Sequence, residues 1–288
     1  MVGESGDGGG WEVLAERRGV RLRARGSGTP VFIFSGLEGS GESCLHLVLP
    51  TIERAGGAGG ERYRAILVDY AAEQHATFEA LVETCRELVA EVALPPRGCR
   101  VWCQSFGNLL GCSTVNAAAL PVERFVLVSP FTTLPGWKLR LAPPVLAVTP
   151  DFLYRWTIKP LSRWQFGPDG GNTAHPFFGS LAQLTRPILR RRIAWLRGRT
   201  FEPLFRSLTA PRKVWLGSRD RLVDLRAQRR FFDGLAAERT GLEVELITGS
   251  GHVVLPPPVI DVARQQLAEW FWSPGKEVER EALVDAAV

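Results

Sequence analysis

The sequence predicts an α/β fold, a mostly parallel sheet flanked by helices, with a further, mainly helical segment inserted late in the chain. Short apolar runs of strand length alternate with longer segments of helical period, which is typical of a parallel sheet covered by helices. Between residues 130 and 209 this alternation stops and the charge becomes strongly basic, which indicates an insertion. The 288 residues, 45% of them hydrophobic, suffice for one sizeable core with an insertion and exclude disordered, collagen-like and fibrous proteins.

The first two strands are expected to form a hairpin at one edge of the sheet. Apolar and polar residues alternate over Trp11–Leu14 and Val20–Arg25, as in antiparallel strands with one solvated face. The later strands are mostly apolar, which suits strands buried on both faces. These six predicted parallel strands are Val31–Phe34, Ala65–Val68, Arg100–Cys103, Phe125–Val128, Lys213–Leu216 and Val244–Ile247.

Helices are predicted between these strands. Over Phe78–Val92, for example, seven apolar side chains fall at helical spacing on one face. Residues 1–10, half of them glycine, and residues 273–288 are expected to be tails. The predicted helices are Glu42–Ala55, Phe78–Val92, Asn108–Ala119, Leu225–Ala237 and Val259–Trp272.

Several classes of protein and site are not expected. Apolar runs such as Val31–Phe34 are far shorter than the roughly 18 residues of a membrane-spanning helix. The N-terminus lacks the basic and then apolar order of a signal peptide, which predicts a cytoplasmic protein. The five cysteines have no CxxC spacing, so we expect reduced thiols and no metal site. The glycines at 35–41, SGLEGSG, fit neither a P-loop nor a dinucleotide motif, and no cofactor is predicted.

Three groups suited to nucleophilic acyl chemistry follow predicted strands. This chemistry needs a hydroxyl beside a base, a carboxylate that orients the base, and amide donors for the developing oxyanion. CQSFG, Cys103–Gly107, joins a strand to a helix, where a serine on a tight turn projects its Oγ away from the sheet. Asp220 and His252 each come shortly after a later strand. Because all three lie beyond the C-terminal ends of parallel strands, we expect them at one edge of the sheet.

These motifs resemble those of the α/β-hydrolase superfamily. The likeness covers residues 11–129 and 210–272, and residues 130–209, here called the cap segment, resemble the variable cap of that fold. The resemblance implies a triad in the family's chain order, with Ser105 as nucleophile, Asp220 as the acid and His252 as base. It also implies that SGLEGSG is the oxyanion loop, with the amides of Leu37 and Phe106 as the donors.

The nucleophile motif departs from the family's G-x-S-x-G at Cys103. Glycine is usual there because a larger side chain crowds the turn. Cysteine is small, so we expect it to be tolerated with a modest backbone adjustment. One alternative makes Cys103 the nucleophile, but its thiol would then point along the strand rather than above it. Another makes Ser105 no more than a helix N-cap.

Other residues compete for the remaining roles. His46 lies on an apolar helix face, which indicates a structural role, and His75 follows a strand without a partner motif. Asp224 is spaced to cap the next helix. The position after the sixth strand holds Ser129 and offers no carboxylate, which favours Asp220. The competitors are His46, His75 and His175 for the base and Asp224 for the acid.

The cap segment carries the net basic charge of the chain. It has 12 basic and three acidic residues, whereas the rest of the chain is net acidic. Within it, Arg186–Arg199 mixes apolar residues with six arginines. The pattern favours an amphipathic helix packed over the pocket, and weak contact with an anionic membrane surface or an acidic substrate is the alternative. No nucleic-acid motif accompanies the charge, so nucleic acid is not an expected partner.

The sequence as a whole predicts a serine hydrolase that cleaves a carboxylic ester or thioester of a small acyl substrate. An acyltransferase of the same fold, in which a second alcohol replaces water, stays open. So does a noncatalytic, hydrolase-like binding protein, for which the departure at Cys103 is the argument.

Overall fold

A computed structural model describes residues 10–59, 63–150, 153–154, 184–252, 260–261, 264–266 and 270. Over these residues eight strands form one sheet, in the order β1-β2-β4-β3-β5-β6-β7-β8. The strands are β1 (Glu12–Arg17), β2 (Val20–Gly26), β3 (Thr29–Phe34), β4 (Tyr63–Asp69), β5 (Cys99–Gln104), β6 (Val122–Val128), β7 (Arg212–Gly217) and β8 (Leu242–Ile247). The helices are α1 (Glu42–Gly59), α2 (Phe78–Ala90), α3 (Phe106–Ala118), α4 (Gly136–Val148), α5 (Arg186–Leu196), α6 (Glu202–Ser207) and α7 (Leu225–Glu238).

The pairing of the strands confirms the predicted fold class. Strands β3 to β8 pair in parallel, while β2 runs antiparallel to β4 and carries β1 outside it as the edge hairpin. Each parallel connection returns to the same edge of the sheet. The loops after β3, β5, β7 and β8 therefore open at one common edge.

The sheet is covered on both faces, which is why its central strands are so apolar. Alternate residues of β3 serve the two sides: Phe32 and Phe34 pack in the core that includes α2 and α3, whereas Val31 and Ile33 pack with α1. All four are fully buried. With both faces closed by helices, the edge formed by the strand ends is where loops and ligands can meet.

Helices α4, α5 and α6 lie between β6 and β7 in the chain. The indole of Trp195 in α5 packs against Phe78 of α2, with ring centroids 6.4 Å apart, and its Nε1 donates to the carbonyl of Ala76 at 3.0 Å. The predicted tails, and most of the helix expected over Val259–Trp272, lie outside the described residues. In the part of the chain that is described, no helix has the length and apolar character to cross a membrane.

Candidate active site

Ser105 lies on the turn between β5 and α3. Its backbone has φ 54° and ψ −122°, a conformation that residues other than glycine rarely adopt. The turn is held by Ser105 N, which donates to the carbonyl of Val128 at 2.9 Å, and by Asn108 Nδ2, which donates to the carbonyls of both Ser105 and Val128 at 2.9 Å. Ser105 occupies the N-cap position of α3, yet within this described helix its side chain makes no capping bond. Its hydroxyl therefore has another partner.

Gly107 brings this turn against the predicted oxyanion loop. A Cβ at position 107 would lie 2.1 Å from the carbonyl oxygen of Ser35 and 2.3 Å from that of Phe34. A side chain there would push the turn and the loop apart. The two segments that carry the Leu37 and Phe106 amides therefore adjoin. Phe106 is the first residue of α3, so its amide belongs to the helix N-terminus, where N–H groups lack intrahelical partners.

Cys103 is buried in the core and faces α3. A Cβ on Gly111 would lie 2.5 Å from Cys103 Sγ, so the thiol fills space that a side chain at position 111 would need. Burial, with a smaller effect of contact with Cys112, raises the pKa of Cys103 well above its usual value. A buried thiol with a raised pKa lacks the thiolate that a cysteine nucleophile uses. Cys103, where the family usually has glycine, is accommodated by Gly111 on the adjoining helix.

The hydroxyl of Ser105 meets the imidazole of His252. His252 Nε2 lies 2.8 Å from Ser105 Oγ, and Nδ1 lies 2.6 Å from Asp220 Oδ2. The His252 side chain is fully buried and that of Asp220 is 3% exposed. With an ionised Asp220, Nδ1–H donates to the carboxylate, so Nε2 is left as an acceptor for the serine proton. Ser105, Asp220 and His252, chosen from separate parts of the sequence, are thus in one hydrogen-bonded chain.

The loops that carry the acid and the imidazole are fixed by further hydrogen bonds. Asp220 Oδ1 accepts from the amide of Leu222 at 2.8 Å, which leaves Oδ2 for the imidazole. Ser129 Oγ donates to the carbonyl of His252, and Ser129 N donates to the carbonyl of Trp215 at 2.7 Å. Ser129, the residue after β6, offers no carboxylate but fixes the backbone of the loop that carries His252.

The competing residues have other partners or lie outside the described residues. His75 Nε2 is 2.8 Å from Thr84 Oγ1 and its Nδ1 is 3.3 Å from Glu73 Oε2, all in the core. Asp224 caps α7 as predicted, with its carboxylate accepting from the amide of Ala227 at 3.1 Å. The side chain of His46 and the whole of His175 fall outside the described residues.

The predicted oxyanion loop is held by side chains that the sequence analysis did not single out. The hydroxyl of Tyr70 donates to the carbonyls of Ser35 and Gly36. Glu38 is buried, and its Oε1 accepts from Gly36 N at 3.0 Å; desolvation raises the pKa of this carboxyl. Arg192 of α5 donates to the carbonyl of Leu37. Tyr70 follows β4 at the predicted site edge, which was a usable signal, whereas nothing in the local sequence marks one arginine among six.

The arginines that the structure describes between residues 186 and 199 divide between internal contacts and solvent. Arg192 is fully buried, and Arg191 Nη2 lies 3.2 Å from Glu73 Oε1. Arg199 pairs with Glu79 of α2. Arg190 and Arg197 are exposed. Much of the basic charge of α5 is therefore used to attach this helix to the loop between β4 and α2.

Chemically, the site offers a hydroxyl, a base and a carboxylate in series, beside the N-terminus of a helix. The described residues contain no cluster of three or more His, Cys, Asp or Glu side chains that could hold a metal ion. The groups present suit the transfer of an acyl group through the serine, with proton movement along the imidazole.

Comparison with known proteins decides the family. The model of the alpha/beta hydrolase family matches residues 8–269, most of the chain. The chain belongs to the α/β-hydrolase family. This membership agrees with the strand order and with the predicted resemblance. No curated protein matches the chain significantly by sequence.

Several solved structures share this fold at low sequence identity. An esterase, EaEST from Exiguobacterium antarcticum, superposes with a TM-score of 0.70 at 14% identity, over 88% of this chain and 96% of that one. The carboxylesterase CesB from Bacillus subtilis gives 0.62 at 16% identity, over 91% and 90%. A bromoperoxidase from Bacillus anthracis gives 0.65 at 12% identity, over 88% and 95%. At these low identities the similarity shows a shared fold and no more.

Proposed function

We propose that this α/β hydrolase is a serine hydrolase that cleaves a carboxylic ester or thioester through an acyl-enzyme on Ser105. The observation that carries the proposal is the series of two hydrogen bonds from Asp220 Oδ2 through the His252 ring to Ser105 Oγ, of 2.6 and 2.8 Å. Nucleophilic acyl transfer requires this arrangement of hydroxyl, base and carboxylate. The esterases among proteins of similar fold support the same chemistry.

In the first half of the reaction, Ser105 Oγ attacks the carbonyl carbon of the substrate while its proton moves to His252 Nε2. Asp220 stabilises the imidazolium that forms, and the amides of Leu37 and Phe106 hold the oxyanion. The tetrahedral intermediate then collapses. The bond to the alcohol or thiol breaks, and the leaving group takes the proton from Nε2.

In the second half, water attacks the acyl-enzyme and gives a proton to His252 Nε2. Collapse of this second intermediate breaks the bond to Ser105 Oγ, which recovers the proton. The acyl group leaves as a carboxylic acid. Each half of the reaction uses the same base and the same pair of amide donors.

The test is labelling with a fluorophosphonate, which phosphonylates an activated serine. We expect the label on Ser105 of the wild type, located by mass spectrometry of the labelled peptide, and no label on Ser105→Ala. Ser207→Ala, which removes an exposed hydroxyl on α6, is the matched control and should label like the wild type. Equal labelling of the wild type and Ser105→Ala, or no labelling of either, would overturn the proposal.

The acyl acceptor is tested with p-nitrophenyl esters of increasing chain length. We expect turnover by the wild type that yields the free acid, with loss of the steady-state rate in Ser105→Ala. Product analysis in the presence of a primary alcohol separates hydrolysis from acyl transfer. An ester product that persists at low alcohol concentration would identify an acyltransferase of the same fold instead.

A further inference from the structure

Arg192 is the most deeply buried of the arginines in α5. Its side chain is fully buried, whereas Arg190 of the same helix is exposed. Removal of a guanidinium from water is strongly unfavourable unless its donors find partners. The partners of Arg192 are therefore the first guide to what it does.

The guanidinium of Arg192 contacts both loops that flank β3 and β4. Nη1 donates to the carbonyl of Leu37 in the oxyanion loop, and Nη2 donates to the carbonyl of Tyr70 after β4. Nε lies 3.4 Å from Glu73 Oε1, a buried carboxylate that supplies the opposite charge. The guanidinium carbon also lies 4.9 Å from the centroid of the Tyr70 ring. The Arg192 side chain thus contacts both loops and the Tyr70 ring at once.

Tyr70 in turn contacts the peptide group that bears the proposed oxyanion donor. Its hydroxyl donates to the carbonyl of Gly36 at 2.8 Å and shares this hydrogen with the carbonyl of Ser35. The Gly36 carbonyl and the Leu37 amide belong to one planar trans peptide, in which C=O and N–H point in opposite directions. A fixed carbonyl therefore fixes the direction of the Leu37 N–H.

The hydrogen bond from Tyr70 to the Gly36 carbonyl also makes the Leu37 N–H a stronger donor. A peptide whose carbonyl accepts a hydrogen bond is polarised, and its N–H becomes a better donor in a site of low dielectric constant. Tyr70 is buried, and its hydroxyl stays protonated because burial, and after it the charge of Glu38, raises its pKa well above the usual value. The hydroxyl is thus a permanent donor to the Gly36 carbonyl.

We propose that Tyr70 and Arg192 are positioning residues that aim the Leu37 amide at the oxyanion, so that packing of α5 against the two loops completes the oxyanion hole. The proposal rests on the proposed function, because it assigns these residues to the same reaction. Tyr70 fixes the peptide directly. Arg192 fixes Tyr70 and the far side of Leu37, and brings α5 with it.

The first test is Tyr70→Phe, which removes one hydroxyl and keeps the ring under Arg192. We expect kcat per titrated active site to fall roughly 10- to 100-fold, below the 10²- to 10³-fold typical of losing an oxyanion donor itself. KM and the pH profile of kcat/KM should not change, because His252 and Asp220 are untouched. Titration of active sites removes any contribution from misfolded protein.

A second readout separates positioning from a purely structural role. A trifluoromethyl ketone forms a tetrahedral adduct on the serine whose oxyanion occupies the hole, whereas the matching methyl ketone binds without it. For Tyr70→Phe we expect the inhibition constant of the trifluoromethyl ketone to rise by the same factor by which kcat falls. The inhibition constant of the methyl ketone should stay at the wild-type value.

Arg192→Lys tests the cap contribution and remains informative if Tyr70→Phe does not fold. Lysine keeps a positive charge for Glu73 but has no planar fork to reach the carbonyls of Leu37 and Tyr70 together. We expect a loss in kcat of the same kind as in Tyr70→Phe. Arg190→Met, at an exposed arginine of the same helix, is the matched control and should keep wild-type kinetics.

The possible results separate this inference from the proposed function. If the wild type turns over esters and both Tyr70→Phe and Arg192→Lys retain its kcat and its affinity for the trifluoromethyl ketone, the positioning role is wrong and the hydrolase stands. If the wild type neither turns over esters nor labels at Ser105, the proposed function is wrong and this inference fails with it. A loss in kcat with unchanged affinity for the trifluoromethyl ketone also overturns the positioning role.

Discussion

The turn at Ser105 and the oxyanion loop after β3 lie side by side, yet they are held in different ways. The turn is fixed by neighbours in the chain or on the next strand, namely Asn108, three residues away, and Val128. The loop has local bonds too, such as that from Gly36 N to Glu38, but it is also held by Tyr70, 34 residues from Gly36 in sequence, and by Arg192, 155 residues from Leu37.

This difference shows which part of the site can be predicted from the sequence. A serine on a strained turn needs a characteristic local pattern, because the strain is relieved by small residues and hydrogen bonds close by. Contacts from side chains as distant as Tyr70 and Arg192 leave no such pattern. The turn is therefore marked in the local sequence, while the position of the loop after β3 depends on the completed fold, including α5.

The largest effect is expected from Asp220→Asn. This substitution disables the proposed base but leaves the turn and the loop intact, so its loss in kcat is the reference for the other variants. The amide cannot hold the imidazole in the required tautomer, so kcat should fall about 10⁴-fold. Steady-state kinetics with a p-nitrophenyl ester measures this loss.

Asp224→Asn is the matched control for the loss at position 220. Asp224 caps α7 nearby and an asparagine can cap equally well. We expect wild-type kinetics for it. A wild-type rate in Asp220→Asn would exclude the assigned acid.

Gly107→Ala should break the contact between turn and loop. The new Cβ would lie 2.1 and 2.3 Å from two backbone oxygens, which cannot move as a side chain could. We expect the free energy of unfolding to fall by about 3 kcal/mol or more, the upper end of the range for overpacking. Urea denaturation followed by circular dichroism measures it, and activity should be lost in the fraction that still folds.

Gly234→Ala is the control for that substitution. Gly234 is an exposed glycine within α7, and a Cβ there would meet no atom within 4 Å. Alanine in a helix should raise the free energy of unfolding by about 0.5–1 kcal/mol. Equal stabilities of the two variants would contradict the close approach of turn and loop.

Ser129→Ala tests whether the loop that carries His252 is held by local contacts, like the turn at Ser105, or by distant residues, as Tyr70 and Arg192 hold the loop after β3. Its hydroxyl donates to the carbonyl of His252, 123 residues away, so we expect the loss of a long-range tie. The free energy of unfolding should fall by about 1–2 kcal/mol, as for one buried hydrogen bond, and kcat should fall about tenfold.

The matched variant is Ser129→Gly. Ser129 has φ 47°, which glycine adopts without strain. Glycine should therefore be no less stable than alanine at this position, while the loss in kcat is the same in both, because both lack the hydroxyl. A larger loss for glycine would mean that backbone conformation, and not the hydrogen bond, positions His252.

The sequence predicted the fold class and the triad candidates from features that are local. The wholly apolar run Val31–Phe34 is a strand buried on both faces, and the edge hairpin follows from alternation around Gly19. The candidate triad could be proposed because each residue follows a strand. The described chain joins Ser105, Asp220 and His252 by hydrogen bonds.

The sequence could not predict the residues that act over long range. The space for Cys103 comes from Gly111, and this pairing depends on how α3 lies on β5. Arg192 is one of six arginines of similar local setting, and only the packing of α5 against Glu73 and Tyr70 sets it apart. Burial of a charge with its partners is a property of the assembled fold.

A smaller effect, which depends on pH, is expected from Glu38→Gln. Desolvation raises the pKa of Glu38 in the folded protein, so folding favours its neutral form. The stability that comes with this neutral form is complete below the unfolded pKa and is lost as pH rises through the folded pKa. A glutamine pays no such penalty and can still accept from Gly36 N. Thermal unfolding across pH should therefore show Glu38→Gln gaining on the wild type as pH rises.

The smallest effect is expected from Glu79→Gln, whose stability relative to the wild type should change with pH in the opposite direction. It therefore distinguishes the buried carboxyl of the loop from an exposed ion pair. A hydrogen bond from Arg199 lowers the pKa of Glu79, so its contribution to stability is present above the unfolded pKa and is lost as pH falls through the folded pKa. The glutamine variant should thus fall behind the wild type as pH rises, by little, because the pair is exposed. The same slope in both variants would mean that Glu38 is not desolvated. In that case the oxyanion loop would be open to water, where the Tyr70 and Arg192 contacts would hold it only weakly.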